Sequence, residues 1–128
     1  MKGIYKSITE KNLTTDKEYF LFEIYVNIRN NTKSLRLIDD VGVPILRSTD
    51  NFEFNKLEID NMSALFYENG MTITLRELAA VCKDCSINSL WERYFLNEKE
   101  IVDVVNEIIN KYAIKENISI VGPCPYGI

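Results

Sequence analysis

The sequence predicts an α+β domain, β-rich at first and helical afterwards, and three observations carry that prediction. Between Tyr19 and Ile28 the residues Phe20, Phe22, Ile24, Val26 and Ile28 occupy every second position, the period of a strand with one buried face. Asn69-Gly70 stands between the apolar runs Ala64–Tyr67 and Met71–Ile73, a strong hairpin signal. Ile101, Val104, Val105, Ile108 and Tyr112 recur at spacings of three and four, the stripe of an amphipathic helix.

The remaining elements follow in order. Gly3 to Ile8 reads as a first strand, Lys11 to Lys17 as a turn-rich connection, and Asn30, Asn31 and Thr32 as a loop. Leu35 to Ile38 is a third strand and Asp39-Asp40-Val41-Gly42 a tight turn. Val43 to Arg47 is a fourth strand, and its Pro44 prefers an edge because proline has no N–H for a ladder. Thr74-Leu75-Arg76-Glu77 has the spacing of a capping box, which puts Leu75, Leu78, Ala79 and Cys82 on one helix face. Ser86 or Asn88 opens a helix that runs through Trp91 to Phe95, and Asn97-Glu98-Lys99-Glu100 caps the longest one. Ile118 to Val121, β-branched and followed by Gly122, predicts a short last strand that delivers Cys124. With 128 residues, 46% of them apolar, the chain supports a core and is expected to form a single domain. Its β-rich part is 1–60, and 61–128 supplies the hairpin, the helices and a zinc-knuckle-like tail.

From Lys2 to Phe54 three runs stand out: Leu13 to Tyr19, Leu35 to Gly42, and Asn51-Phe52-Glu53. In these runs the chain resembles the small SH3-like barrels of phage and Firmicute proteins. The resemblance implies an antiparallel SH3-like β-barrel or sheet packed with the C-terminal helical part; it implies architecture only.

Three cysteines and no histidine narrow the chemistry. Cys82-Lys83-Asp84-Cys85 is a C-x-x-C, and Cys124 sits in Gly122-Pro123-Cys124-Pro125-Tyr126-Gly127, a turn like the other half of a zinc ribbon. Thiolates two residues apart can hold one Zn²⁺ because the turn between them puts both sulfurs on one side. Cys82, Cys85 and Cys124 are therefore candidate ligands of a structural zinc, and the fourth ligand is an oxygen: a side-chain carboxylate, a water or the carboxylate of Ile128. Two other readings stand beside this one. Thiols are common buried apolar groups; redox chemistry would need the motif at a helix N-terminus, whereas Cys82 lies at a predicted helix end.

Histidine-dependent acid–base and nucleophilic mechanisms are excluded, since no imidazole is present. Neither phosphate-cradling glycine motif occurs. Adjacent acids such as Asp39/Asp40 and Glu98/Glu100 have structural reasons for their places, in a turn and at a helix start, so no enzymatic activity is expected. The net charge of −4 gives no electrostatic footprint for nucleic acid and suits a basic partner. Thr74 to Phe95 can be read as a helix-turn-helix offering Asn88, Ser89, Glu92 and Arg93 to a groove, although one arginine beside one glutamate is poor equipment for DNA. Met1 to Lys11 lacks a long apolar run, and no stretch approaches the ~18 apolar residues of a membrane span. Unpaired thiols agree with a cytoplasmic setting. Tyr67, Trp91, Tyr94, Phe95 and Tyr126 would anchor an interface where exposed, with Trp91 the first expected in the core.

These features predict a non-enzymatic interaction protein. In size, acidity and lack of catalytic groups the chain is similar to the small inhibitors that phages and mobile elements direct at bacterial defence, anti-CRISPR proteins among them. The resemblance implies binding to an RNA-guided nuclease and a block on its access to DNA. Asp39, Asp40, Asp50 and Glu53 on the predicted barrel loops, with Glu98 and Glu100 on the helical side, are the candidate contacts. The alternatives are a toxin-neutralising immunity protein and a DNA-binding regulator.

Overall fold

The computed structural model describes residues 1–54, 60–82 and 86–120. Seven strands precede three helices: β1 (Lys2–Tyr5), β2 (Glu18–Asn27), β3 (Thr32–Ile38), β4 (Pro44–Ser48), β5 (Phe52–Glu53), β6 (Met62–Tyr67), β7 (Gly70–Leu75), α1 (Arg76–Val81), α2 (Ile87–Phe95) and α3 (Lys99–Lys115). The fold is α+β, an open antiparallel sheet carrying the helices on one face. Among the described residues the order β4-β3-β2-β1-β5 is not closed by a ladder between β4 and β5. Pro44 opens β4, a strand whose one neighbour among the described residues is β3.

The long strand β2 organises the sheet. β1 pairs with Glu18 to Phe20, β7 pairs with Glu23 to Asn27, and β3 runs along the other edge. Leu21 lies opposite Leu37 but Glu23 opposite Arg36, so Phe22 is an extra residue in the ladder. This bulge corrects the single face expected for β2. Phe20 and Phe22 pack toward the helices, whereas Ile24 and Val26 point to the opposite face with Leu21, Leu35 and Leu37. Ile28 lies beyond the strand and is exposed. Two cores result, one between sheet and helices around Phe22, Leu78, Leu90, Trp91, Tyr94 and Ile109, the other around Tyr5, Leu21, Leu35 and Leu37. Burial of each such large side chain is worth about 1.5–3 kcal/mol.

The β6–β7 hairpin forms, but Tyr67 pairs with Gly70, so its loop residues are Glu68 and Asn69. Gly70 is required by space: a Cβ there would stand 2.5 Å from the Val26 carbonyl oxygen. The capping box does not form. Thr74 is spent in the β7 ladder, Leu75 precedes α1 without a side-chain cap, and Glu77 pairs instead with Lys111 on α3 at 2.8 Å. Ser86 does cap α2, its hydroxyl accepting from the Ser89 amide at 3.1 Å. Asn97, expected to open α3, closes α2 in a left-handed conformation (φ 60°). The Glu98 amide then reaches back to the Arg93 carbonyl at 3.2 Å. The α3 stripe is rotated from the expected one: Val102, Ile109 and Ala113 are buried beside Ile101, Val105 and Ile108, while Val104 and Tyr112 are half-buried. Ile118 to Ile120 form no strand, and Val121 lies outside the described residues.

Candidate functional site

Of the cysteines, Cys82 is described, buried at 8% exposure just past the end of α1, where its thiol donates to the Leu78 carbonyl at 3.3 Å. Cys85 and Cys124 lie outside the described residues, as does Tyr126. Among the described residues no group of three or more Cys, Asp or Glu is assembled to hold a metal ion.

The candidate carboxylates divide into two sets. Asp39 is buried, and its Oδ1 accepts from the Val41 and Val43 amides at 3.0 and 2.9 Å, the bonds that shape the β3–β4 turn. Asp40 accepts from Thr14 Oγ1, Lys17 Nζ and Tyr19 Oη at 2.6–2.8 Å and thereby holds the β1–β2 connection against that turn. Burial pushes its carboxyl up, but the bonds from Lys17, Thr14 and Tyr19 outweigh that and hold it below the usual carboxylate range. Burial in turn raises the Tyr19 phenol. Both aspartates thus serve the fold. Glu98 is exposed and paired with Arg93 at 3.1 Å; Glu100 is exposed in the first turn of α3. Asp50, in a 3-10 turn over Thr49–Asn51, and Glu53 on β5 are both exposed.

Glu53 stands at an open groove of about 590 Å³ on the sheet face away from the helices. Ile24, Val26, Leu35, Phe52, Phe54 and Ile73 make its apolar lining, and Lys33, Thr49 and Glu53 complete it. The groove follows from the bulge: by moving Ile24 and Val26 to this face, Phe22 leaves them beside Leu35 and Ile73, with Phe52 and Phe54 along the flank. Asp50 precedes that flank by two residues. An apolar trough with one carboxylate, Glu53, and one ammonium, Lys33, at its edges can seat apolar side chains beside a charged group of either sign.

On the helix side the sheet carries a buried ionic group. Glu23, 2% exposed, accepts from Arg36 Nε at 2.8 Å, and the Arg36 guanidinium lies 4.4 Å from the Trp91 ring centre. Tyr94 is fully buried beside Trp91, and Tyr67 and Phe95 are half-buried, so the four described aromatics among the candidate anchors pack in or against the core. On α2, Arg93 is engaged by Glu98 and Glu92 is exposed, a face without surplus positive charge for phosphates.

Reading residues in isolation missed the groove, because its lining comes from β2, β3, β5, β7 and the residues around them and depends on one bulge. A charged residue within the apolar run Tyr19 to Val26 was the available signal for the Glu23 group. No protein-family model matches the chain, and neither characterised proteins nor solved structures include a significant match. Among the described residues no helix is long and apolar enough to cross a membrane.

Proposed function

We propose that this chain is a non-enzymatic interaction protein that docks a basic partner through the groove on its sheet. The observation carrying this reading is Glu53 at the lip of an open apolar groove lined by Phe52 and Phe54. Asp50 stands two residues before Phe52, and Glu98, paired with Arg93, and Glu100 are exposed on the helical side; Asp39 and Asp40 act indirectly, by shaping the loops. The partner is a bacterial defence protein with a basic surface, an RNA-guided nuclease whose positively charged nucleic-acid channel the chain would block. A toxin neutralised in the manner of an immunity protein would be held by the same chemistry, and the identity of the captured protein separates the two.

A structural Zn²⁺ held by Cys82, Cys85 and Cys124 belongs to this proposal, tying the tail to the end of α1. The Cys82 proton now donated to Leu78 is the one zinc would displace.

Surface-immobilised partner and flowing protein test the docking reading. Association should slow several-fold between low and physiological ionic strength, and Glu53→Lys should slow it further, because exposed charges steer encounter and are screened by salt. An association rate indifferent to both would remove Glu53 from the account.

A further inference from the structure

Among the described residues strand β6 pairs with β7 alone and forms an edge of the sheet. The Arg76 amide donates to the Asn61 carbonyl at 2.8 Å, which makes these two a hydrogen-bonded pair of the β6–β7 ladder. Such pairs alternate along an antiparallel ladder. Ser63, Leu65 and Tyr67 therefore bond to β7, and Met62, Ala64 and Phe66 turn their N–H and C=O outward. The far side of β7 fixes the same parity: the Ile28 amide donates to the Asn69 carbonyl at 2.9 Å, so Met71 and Ile73 direct theirs to β2. Among the described residues no hydrogen bond reaches the outward groups of β6.

Natural edges are usually protected by lysine, proline, a bulge or a covering element. The run Met62 to Tyr67 has no charge and no proline, and its register with β7 is unbroken. Phe66 is 76% exposed, and Phe66, Met71, Val26 and Lys33 stand opposite one another across four strands. In the next row Ala64, Ile73, Ile24 and Leu35 lead into the groove. Edge and groove thus form one continuous surface.

Charge decides what it takes. Asp60 and Glu68, both exposed, bracket β6. In a two-fold pairing of two copies, the register that joins all three outward residues sets Ala64 on Ala64 and Met62 on Phe66. It also sets Glu68 directly against Asp60, twice, and like charges in that position are destabilising. A segment with lysine or arginine at those two positions gains from the same geometry. We infer that β6 binds an extended segment of the partner as an added antiparallel strand, apolar at every second position and basic at both ends. This rests on the docking function proposed above and adds the form in which the partner is held.

The probe is the nine-residue peptide Lys-Thr-Val-Thr-Val-Thr-Val-Thr-Lys, which sets its lysines opposite Glu68 and Asp60 and its valines opposite Phe66, Ala64 and Met62. At millimolar peptide, amide hydrogen exchange read by NMR should slow at Met62, Ala64 and Phe66, while Ser63, Leu65 and Tyr67 are protected beforehand. The same peptide with glutamate at both ends should bind about 5-fold or more weakly. Ala64→Pro should abolish the effect and keep the fold, since the lost N–H faces outward. No slowing at the three amides, or equal binding of both peptides, overturns the proposal, and both are read on the native chain if Ala64→Pro fails to fold. Slowing that rises with protein concentration alone would assign the edge to a second copy and overturn the basic segment. Partner binding that survives Ala64→Pro but is lost on Phe54→Ser would sink the added strand and leave the groove reading standing.

Discussion

Trp91 donates its indole N–H to Glu23, a residue 68 positions earlier, at 3.2 and 3.3 Å from the two carboxylate oxygens. With Arg36 on the third side, this acid is a buried polar link between sheet and helices. Its two partners differ in kind: the arginine supplies a counter-charge and the indole only a donor. Arg36→Met would leave a carboxylate buried without its charge, so it should cost about 3–5 kcal/mol in urea unfolding. Glu23→Gln keeps an acceptor for both donors, and the Arg36 side chain, 12% exposed against 2% for Glu23, is the nearer of the two to water, so a smaller loss of about 1–3 kcal/mol is expected. Equal losses, or a smaller one for Arg36→Met, would contradict the assignment.

Asp40 predicts a pH dependence. Its folded carboxyl is held below the ordinary range, so the stability it contributes is present above the unfolded value of about 3.9 and is lost as pH falls through the lower folded value. Asp40→Asn should therefore be less stable than the parent at pH 7, by about 1 kcal/mol, with the gap closing in acid. Unfolding curves of both proteins from pH 7 to pH 2 check this; a gap that widens in acid would be the wrong sign.

Zinc is tested by content and stability together. Protein purified without chelator should carry one zinc per chain, and Cys85→Ser should lose the metal and lower the melting temperature. Less than about a tenth of an equivalent of zinc, with the thiols reacting freely in the native state, would return Cys82, Cys85 and Cys124 to ordinary thiols.

What was legible in the sequence is local. Alternation found β2, the turn residues found the β3–β4 corner and the hairpin, and helical spacing found α3. The misreadings share one cause, a local signal claimed by a competing partner, either distant in sequence or in the adjoining helix end. Thr74 fits a capping box but is held in a ladder against Glu23, and Asn97 fits an N-cap but is used to end the preceding helix. Gly70 resembles a turn glycine but is required by the approach of Val26. The same holds for the site. Acidity drew attention to Asp39 and Asp40; the Asp39 bonds to the Val41 and Val43 amides are those of a turn aspartate, but the bond of Asp40 to Lys17 spans 23 residues and no spacing rule reveals it, and the groove beside Glu53 depends on the bulge at Phe22.

The proposal's central claim is that the apolar groove, with Glu53 at its edge, occupies a partner's nucleic-acid channel. Its most direct test is the mobility shift of labelled target DNA on guide-loaded bacterial nucleases preincubated with this protein. The account predicts that at least one nuclease loses DNA binding in proportion to added protein, and that the double variant Glu53→Lys, Phe54→Ser needs at least about tenfold more protein for the same effect. DNA binding by that nuclease that the double variant blocks as well as the parent does, or undiminished binding across nucleases of every class, would contradict it.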